Sequence, residues 1–139
     1  MIEPKATPLR GIVGDDEPLA RSRLRALLAE IPGTVLVAEC GDGTRVMDAI
    51  AATDPDVVLL DIQMPGREGV NVVGLLAEMG DDAPALVIVT AHSERLARAL
   101  GVNAADYLTK PYSGERLGVA LERARTLSDA RTLRRETPK

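Results

Sequence analysis

Two stretches of this 139-residue chain are aliphatic without interruption, Val57-Val-Leu-Leu60 and Ala85-Leu-Val-Ile-Val89. A strand exposed on one face alternates apolar and polar residues. A strand that does not alternate is covered on both faces, as the strands of a parallel sheet are. Parallel neighbours cannot be joined by a tight hairpin and need a crossover segment, usually a helix. The rest of the chain has this form. Leu9–Gly14, Val35–Cys40 and Ala104–Leu108 read as three further strands. Helical spacing of apolar residues follows in Leu19–Ile31, Thr44–Ala52, Val70–Met79 and Glu94–Leu100, and a last helix starts around Ser113 with Arg116 nearby as a capped start. Pro18 sits at the opening of the first of these, with acidic residues at the positive end of its dipole. Five strand–helix units predict an α/β fold, a doubly wound parallel sheet with helices on both faces.

Composition supports one packed domain. Hydrophobic residues make up 45% and charged residues 27%, while Phe and Trp are absent and there are only two tyrosines, Tyr107 and Tyr112. The core must therefore be aliphatic. The net charge of −4 argues against a free-standing nucleic-acid binder. Cys40, the single cysteine, has no partner for a disulfide and no metal-ligand spacing around it. It reads as a small buried hydrophobe in a reducing compartment. With no signal-peptide pattern and no spanning apolar run, a cytoplasmic location is expected.

In sheets of this kind ligands bind at the carboxyl ends of the strands, near the point where strand order reverses. Asp15 and Asp16 follow the first strand, Asp61 ends the third, Thr90 ends the fourth and Lys110 follows the fifth. Taken singly, each has an ordinary reading as a cap, a β-former or a solvated charge. Together they bring three carboxylates, a hydroxyl and an ammonium to one rim. Neighbouring carboxylates raise one another's pKa unless a cation compensates. An all-oxygen set suits a hard ion, and Mg²⁺ takes a few carboxylates with waters and phosphate oxygens. Phosphoryl transfer uses the same inventory: a nucleophile, a metal and further donors for the remaining charge. A carboxylate such as Asp61 can serve as the nucleophile.

These residues lie within stretches that resemble response-regulator receiver domains. Ile12-Val-Gly-Asp-Asp-Glu-Pro-Leu-Ala-Arg21 is similar to their opening, and Leu59-Leu-Asp-Ile-Gln-Met-Pro-Gly66 to their phosphoacceptor segment. Val87-Ile-Val-Thr-Ala91 and Asp106-Tyr-Leu-Thr-Lys-Pro111 resemble the fourth strand and the Lys-Pro segment. The wording is most like receivers attached to LytTR-type DNA-binding domains. The resemblance implies a (βα)5 flavodoxin-like fold with strand order 2-1-3-4-5. It places the receiver at residues 8–125, with an extension at 1–7 and a helix end or linker at 126–139.

For the site, it implies that Asp61 accepts a phosphoryl group from a sensor histidine kinase or phosphotransfer protein. Mg²⁺ would be bound by Asp16, Asp61 and the Gln63 backbone carbonyl, with Asp15 acting through water. Thr90 and Lys110 would contact the phosphoryl group, and Tyr107 would be the aromatic switch. The Lys110–Pro111 bond is expected to be cis. The chain would be a signalling phosphoacceptor that promotes its own phosphotransfer and dephosphorylation. Its output would be a partner surface or homodimer built from the fourth helix, fifth strand and fifth helix, with no direct nucleic-acid or membrane binding. A DNA-binding output domain, if the protein has one, lies outside these residues.

Gly14 departs from the family pattern, where an aliphatic residue is usual, and is expected to loosen the strand end. Gln63 and His92 occupy positions that tune phosphate lifetime in the family. A haloacid-dehalogenase type of phosphatase also uses a strand-end Asp, but its second, acid/base Asp is replaced here by Gln63, which is a poor proton carrier. An unphosphorylated pseudo-receiver is disfavoured by the complete residue set. Gly41-Asp-Gly43 lacks the third glycine of a dinucleotide loop and reads as a turn. Arg21, Arg23 and Arg25, offset by Glu17 and Glu30, read as a solvated helix face.

Overall fold

The computed structural model describes residues 7–64, 68–91 and 104–136. The predicted helix Glu94–Leu100 and His92 lie outside these residues. Five strands are observed: β1 (Leu9–Gly14), β2 (Thr34–Cys40), β3 (Val57–Asp61), β4 (Ala85–Thr90) and β5 (Asp106–Thr109). Between them run α1 (Pro18–Ala29), α2 (Gly43–Thr53) and α3 (Glu68–Met79), with a 3₁₀ turn at Gly80–Asp82, and the C-terminal helix spans Gly114–Glu136. The strands form one sheet in the order β2-β1-β3-β4-β5, and every neighbouring pair is parallel. β3 and β4 are buried at every position, as their unbroken aliphatic sequences require, whereas the edge strand β2 is only partly covered.

Successive side chains of a strand point to opposite faces, and the core divides accordingly. Leu9, Val13, Val57, Leu59, Val87, Val89 and Leu108 face one layer, where Leu24 and Leu28 of α1 meet Leu117, Ala120, Leu121 and Ala124 of the C-terminal helix. Ile12, Val58, Leu60, Ile88 and Tyr107 face the other, against Val46 and Ile50 of α2 and Val72, Val73 and Leu76 of α3. Each fully buried aliphatic side chain contributes about 1.5–3 kcal/mol relative to exposure. Cys40 is among the buried residues.

Local signals set the ends of the elements. Pro18 opens α1. Asp42 caps α2 by accepting the Arg45 N–H at 2.8 Å, so Gly41-Asp-Gly43 is a turn. Ser113 Oγ accepts the Arg116 N–H at 3.0 Å, the capped start expected there. The C-terminal helix then continues past residue 125 without a break. Its extension is tied to the base of the sheet: Ser128 donates to Asp56 at 3.0 Å, and Arg131 donates to the Pro55 carbonyl at 2.8 Å and to Asp54 at 2.7 Å. No helix among the described residues is long and apolar enough to cross a membrane.

Gly14 does not act as the sequence suggests. A Cβ there would lie 2.7 Å from Val46 Cγ2 and 3.0 Å from Leu60 Cδ1. The missing side chain leaves no looseness, because Val46 and Leu60 occupy its space. The arginine cluster of α1 is also not uniformly solvated. Arg25 pairs with Glu39 of β2 at 2.7 Å rather than with Glu17 or Glu30, and Arg21 reaches back to the Asp15 carbonyl at 2.7 Å.

Candidate functional site

Because all five strands run the same way, their carboxyl ends share one edge of the sheet. Three of the predicted residues converge there: carboxylate oxygens of Asp15, Asp16 and Asp61 lie within 4.8 Å of one another. Asp15 and Asp61 are each only 5% exposed. Lys110 bridges them, its Nζ donating to Asp15 Oδ2 at 2.9 Å and to Asp61 Oδ2 at 3.0 Å. Burial disfavours the charge on Lys110, but its hydrogen bonds to the two carboxylates outweigh this and hold its pKa above the usual lysine value.

One ammonium against three carboxylates leaves the cluster negative. That balance, with oxygen as the only donor type, suits a hard divalent cation. The donor set therefore fits Mg²⁺.

The carboxylates also shape their own loops. Asp15 Oδ1 accepts the Glu17 N–H at 2.9 Å, and Asp61 Oδ1 accepts the Gln63 N–H at 2.8 Å. Such Asx turns leave the second oxygen of each carboxylate for other partners. Asp15 is thus both turn residue and cluster member, so its two readings are compatible. Gln63 is exposed, and its side-chain Oε1 accepts the Ala91 N–H at 3.4 Å, joining the loops after β3 and β4.

Thr90 is 1% exposed at the end of β4, and its carbonyl accepts the Lys110 N–H at 2.7 Å. Tyr107 lies on β5 beside Ile88 of β4 and is buried in the core layer shared with α2 and α3. The Lys110–Pro111 bond is cis, as expected.

Two features were not legible in the sequence, and only the first of them lies at this edge. The first is Gly69, at the start of α3. A Cβ there would stand 2.6 Å from Ile62 Cα and 2.8 Å from the Asp61 carbonyl oxygen. Only glycine lets the helix approach the backbone that carries Asp61 so closely. The nearest signal was its place between a loop and a periodic segment, which does not reveal a tertiary contact.

The second is a buried ion cluster at Asp106, 3% exposed. Arg116 clamps it through Nη1 at 2.6 Å and Nη2 at 2.8 Å, Arg123 adds a contact at 2.9 Å, and Arg116 also donates to the Tyr107 carbonyl at 3.1 Å. Burial alone would raise the Asp106 carboxyl, but the Arg116 and Tyr107 hydrogen bonds and the Arg123 charge hold it below the ordinary aspartate value. A carboxyl whose pKa is lower in the folded than in the unfolded chain stabilises the fold above about pH 4, and that increment is lost as pH falls through the depressed value. Asp106→Asn is therefore expected to flatten the fall in stability below about pH 4. Urea midpoints measured across that range check this, and an unchanged slope would refute it.

Comparison with known proteins agrees with this geometry. Residues 12–122 match the response regulator receiver domain family. The chain is 41% identical over 114 residues to the positive alginate biosynthesis regulatory protein of Pseudomonas aeruginosa, covering 81% of this chain and 46% of that protein. It is 38% identical over 117 residues to the transcriptional regulatory protein BtsR of Escherichia coli, covering 84% of this chain and 48% of that protein. It thus spans about half the length of these relatives.

Among solved structures, the signal receiver domain of the response regulator NarL from Mycobacterium tuberculosis superposes with a TM-score of 0.76 at 31% identity, covering 86% of this chain and 98% of that one. The response regulatory domain of mrkE from Klebsiella pneumoniae gives 0.75 at 27% identity, with 87% and 98% covered. Motif order, sheet topology and sequence similarity lead to one conclusion: the chain belongs to the response regulator receiver domain family of two-component signalling.

Proposed function

We propose that Asp61 is the phosphoacceptor of this receiver and that Mg²⁺ is held beside it by Asp16, Asp61 and the Gln63 backbone carbonyl, with Asp15 acting through water. The observation that carries the reading is the Lys110 bridge between Asp15 and Asp61, at 2.9 and 3.0 Å, within a cluster of three carboxylates. The bound ion supplies neutralisation of the equatorial phosphoryl oxygens. The chain's own residues do the rest. An Asp61 carboxylate oxygen forms the new P–O bond as the bond from phosphorus to the donor's leaving group breaks. Lys110, already against Asp61, takes up a phosphoryl oxygen as a point-charge partner. Thr90 supplies a hydroxyl donor, and Tyr107 follows it as the switch.

The donor is a sensor histidine kinase or a phosphotransfer protein. The output is a surface built from the fifth strand, the C-terminal helix and the segment before them, read by a partner or by a second copy. In this scheme the chain promotes its own phosphotransfer and dephosphorylation, works in the cytoplasm and makes no direct contact with nucleic acid.

The test is incubation with acetyl phosphate and Mg²⁺ followed by intact-mass and peptide mapping. One base-labile phosphoryl group on the peptide carrying Asp61 is expected, and EDTA should prevent it. Labelling that survives chelation would refute the Mg²⁺ role, and phosphate on another peptide would refute the assignment of Asp61.

A further inference from the structure

We propose that Arg21 is a positioning residue for the metal-binding face of the carboxylate cluster. The inference rests on the reading that Asp15, Asp16 and Asp61 hold Mg²⁺. Of these three, Asp15 and Asp61 are fixed through their side chains by Lys110 and by the turn N–H groups of Glu17 and Gln63. Asp16 is different: among the described residues no hydrogen bond or ion pair holds its side chain. Where its carboxylate points therefore depends on the backbone that carries it, and first on the peptide joining it to Asp15.

Two groups grip the Asp15 backbone. Its N–H donates to the Cys40 carbonyl at 3.0 Å, continuing the β1–β2 ladder, and its carbonyl accepts Arg21 Nη1 at 2.7 Å. The second bond sets the plane of the Asp15–Asp16 peptide. Arg21 stands in the second turn of α1, with its own N–H bonded to the Glu17 carbonyl at 3.1 Å, so its guanidinium ties the rigid helix back to the loop that precedes it.

The guanidinium also lies close to the turn after β2. It lies over Gly41, where an added Cβ would come 3.3 Å from Nη1 and 3.9 Å from Cζ. One side chain thus joins α1, the acidic turn after β1 and the turn after β2. A partner that orients a metal ligand without touching the metal typically matters 10- to 100-fold in affinity, as a rough scale.

Charge and positioning predict opposite signs. Arg21 is a cation beside a cation site, so on Coulomb's law alone its removal would tighten Mg²⁺ binding. If it positions Asp16, removal weakens binding. The experiment is a Mg²⁺ titration of the 139-residue chain by calorimetry, with thermal midpoints in parallel. Arg21→Met is expected to weaken Mg²⁺ binding about tenfold. Gly41→Ala, which pushes on the same guanidinium and leaves the charge in place, is expected to weaken it less but in the same direction.

In the double variant the alanine should add nothing, because the group it displaces is gone. Unchanged or tighter binding by Arg21→Met would overturn the proposal, as would a lower metal-free midpoint with the Mg²⁺ constant unaltered. If Arg21→Met does not fold, Gly41→Ala decides alone by the same criterion. Failure of the parent chain to bind Mg²⁺ would overturn the reading of the site itself, and this inference with it.

Discussion

Asp61→Asn is expected to leave a folded protein whose labelling by acetyl phosphate falls to background. The substitution is nearly isosteric, and the amide oxygen can still accept the Gln63 N–H that Asp61 Oδ1 accepts at 2.8 Å. Lys110 keeps Asp15 at 2.9 Å. What disappears is the anionic oxygen that would attack phosphorus, since an amide is not a competent nucleophile here.

Stability is expected to move the other way. Asp15, Asp16 and Asp61 crowd three carboxylate groups within 4.8 Å with one lysine to offset them. Removing one negative charge relieves repulsion in the metal-free state, so the Mg²⁺-free midpoint of Asp61→Asn should equal or exceed that of the parent. The stabilisation that Mg²⁺ would confer at the proposed site, about 2.7 kcal/mol at one hundred times its dissociation constant, should shrink in the variant, because one of the proposed ligands is lost. Intact mass and thermal melts with and without Mg²⁺ check both halves. Persistent labelling at full stoichiometry would mean that another carboxylate takes the phosphate.

Gly69→Ala is expected to be strongly destabilising for the addition of a single methyl group. Its Cβ would fall 2.6 Å from Ile62 Cα and 2.8 Å from both the Ile62 carbonyl carbon and the Asp61 carbonyl oxygen. Backbone atoms cannot rotate away as a side-chain tip can. At Gly14, by contrast, the close neighbours are ends of Val46 and Leu60 side chains, and at Gly74 and Gly118 nothing lies within 4 Å. Overpacking of this kind costs about 3 kcal/mol or more when rigid groups must move, a fall of roughly 10 °C in melting midpoint for a domain of this size.

Relief would push α3 off the strand end and displace Asp61, so phosphate uptake should drop together with stability. Gly118→Ala, in the C-terminal helix where an added Cβ meets nothing within 4 Å, is the control, expected to be neutral or slightly stabilising. A Gly69→Ala protein that melts with the parent would show that the helix can approach without the glycine.

Much of this site follows from residues that act locally. An aliphatic run such as Val57–Leu60 has few options other than a buried strand, and a parallel sheet puts whatever follows each strand on one edge. That is why Asp15, Asp16, Asp61, Thr90 and Lys110 can be placed on one edge from the sequence alone. Element edges were less legible: β5 begins at Asp106, two residues after the predicted start, because its extent is set by pairing with β4, some twenty residues earlier in the chain, and not by its own composition. The end of the C-terminal helix was open for the same reason. Its last turns are mostly polar, and their docking depends on Ser128 and Arg131 meeting Asp54, Pro55 and Asp56, more than 70 residues away in sequence.

The sequence by itself determined the fold class, the order of the motifs and the chemistry of the edge, because strand burial and strand-end position are properties of short segments. Tertiary structure decided the contacts around these segments: Gly69 under Asp61, Arg21 on the Asp15 carbonyl and, at the start of β5, Asp106 between two arginines. Each depends on a close approach between elements distant along the chain or on the path a long side chain takes. Neither leaves a periodic trace in the sequence.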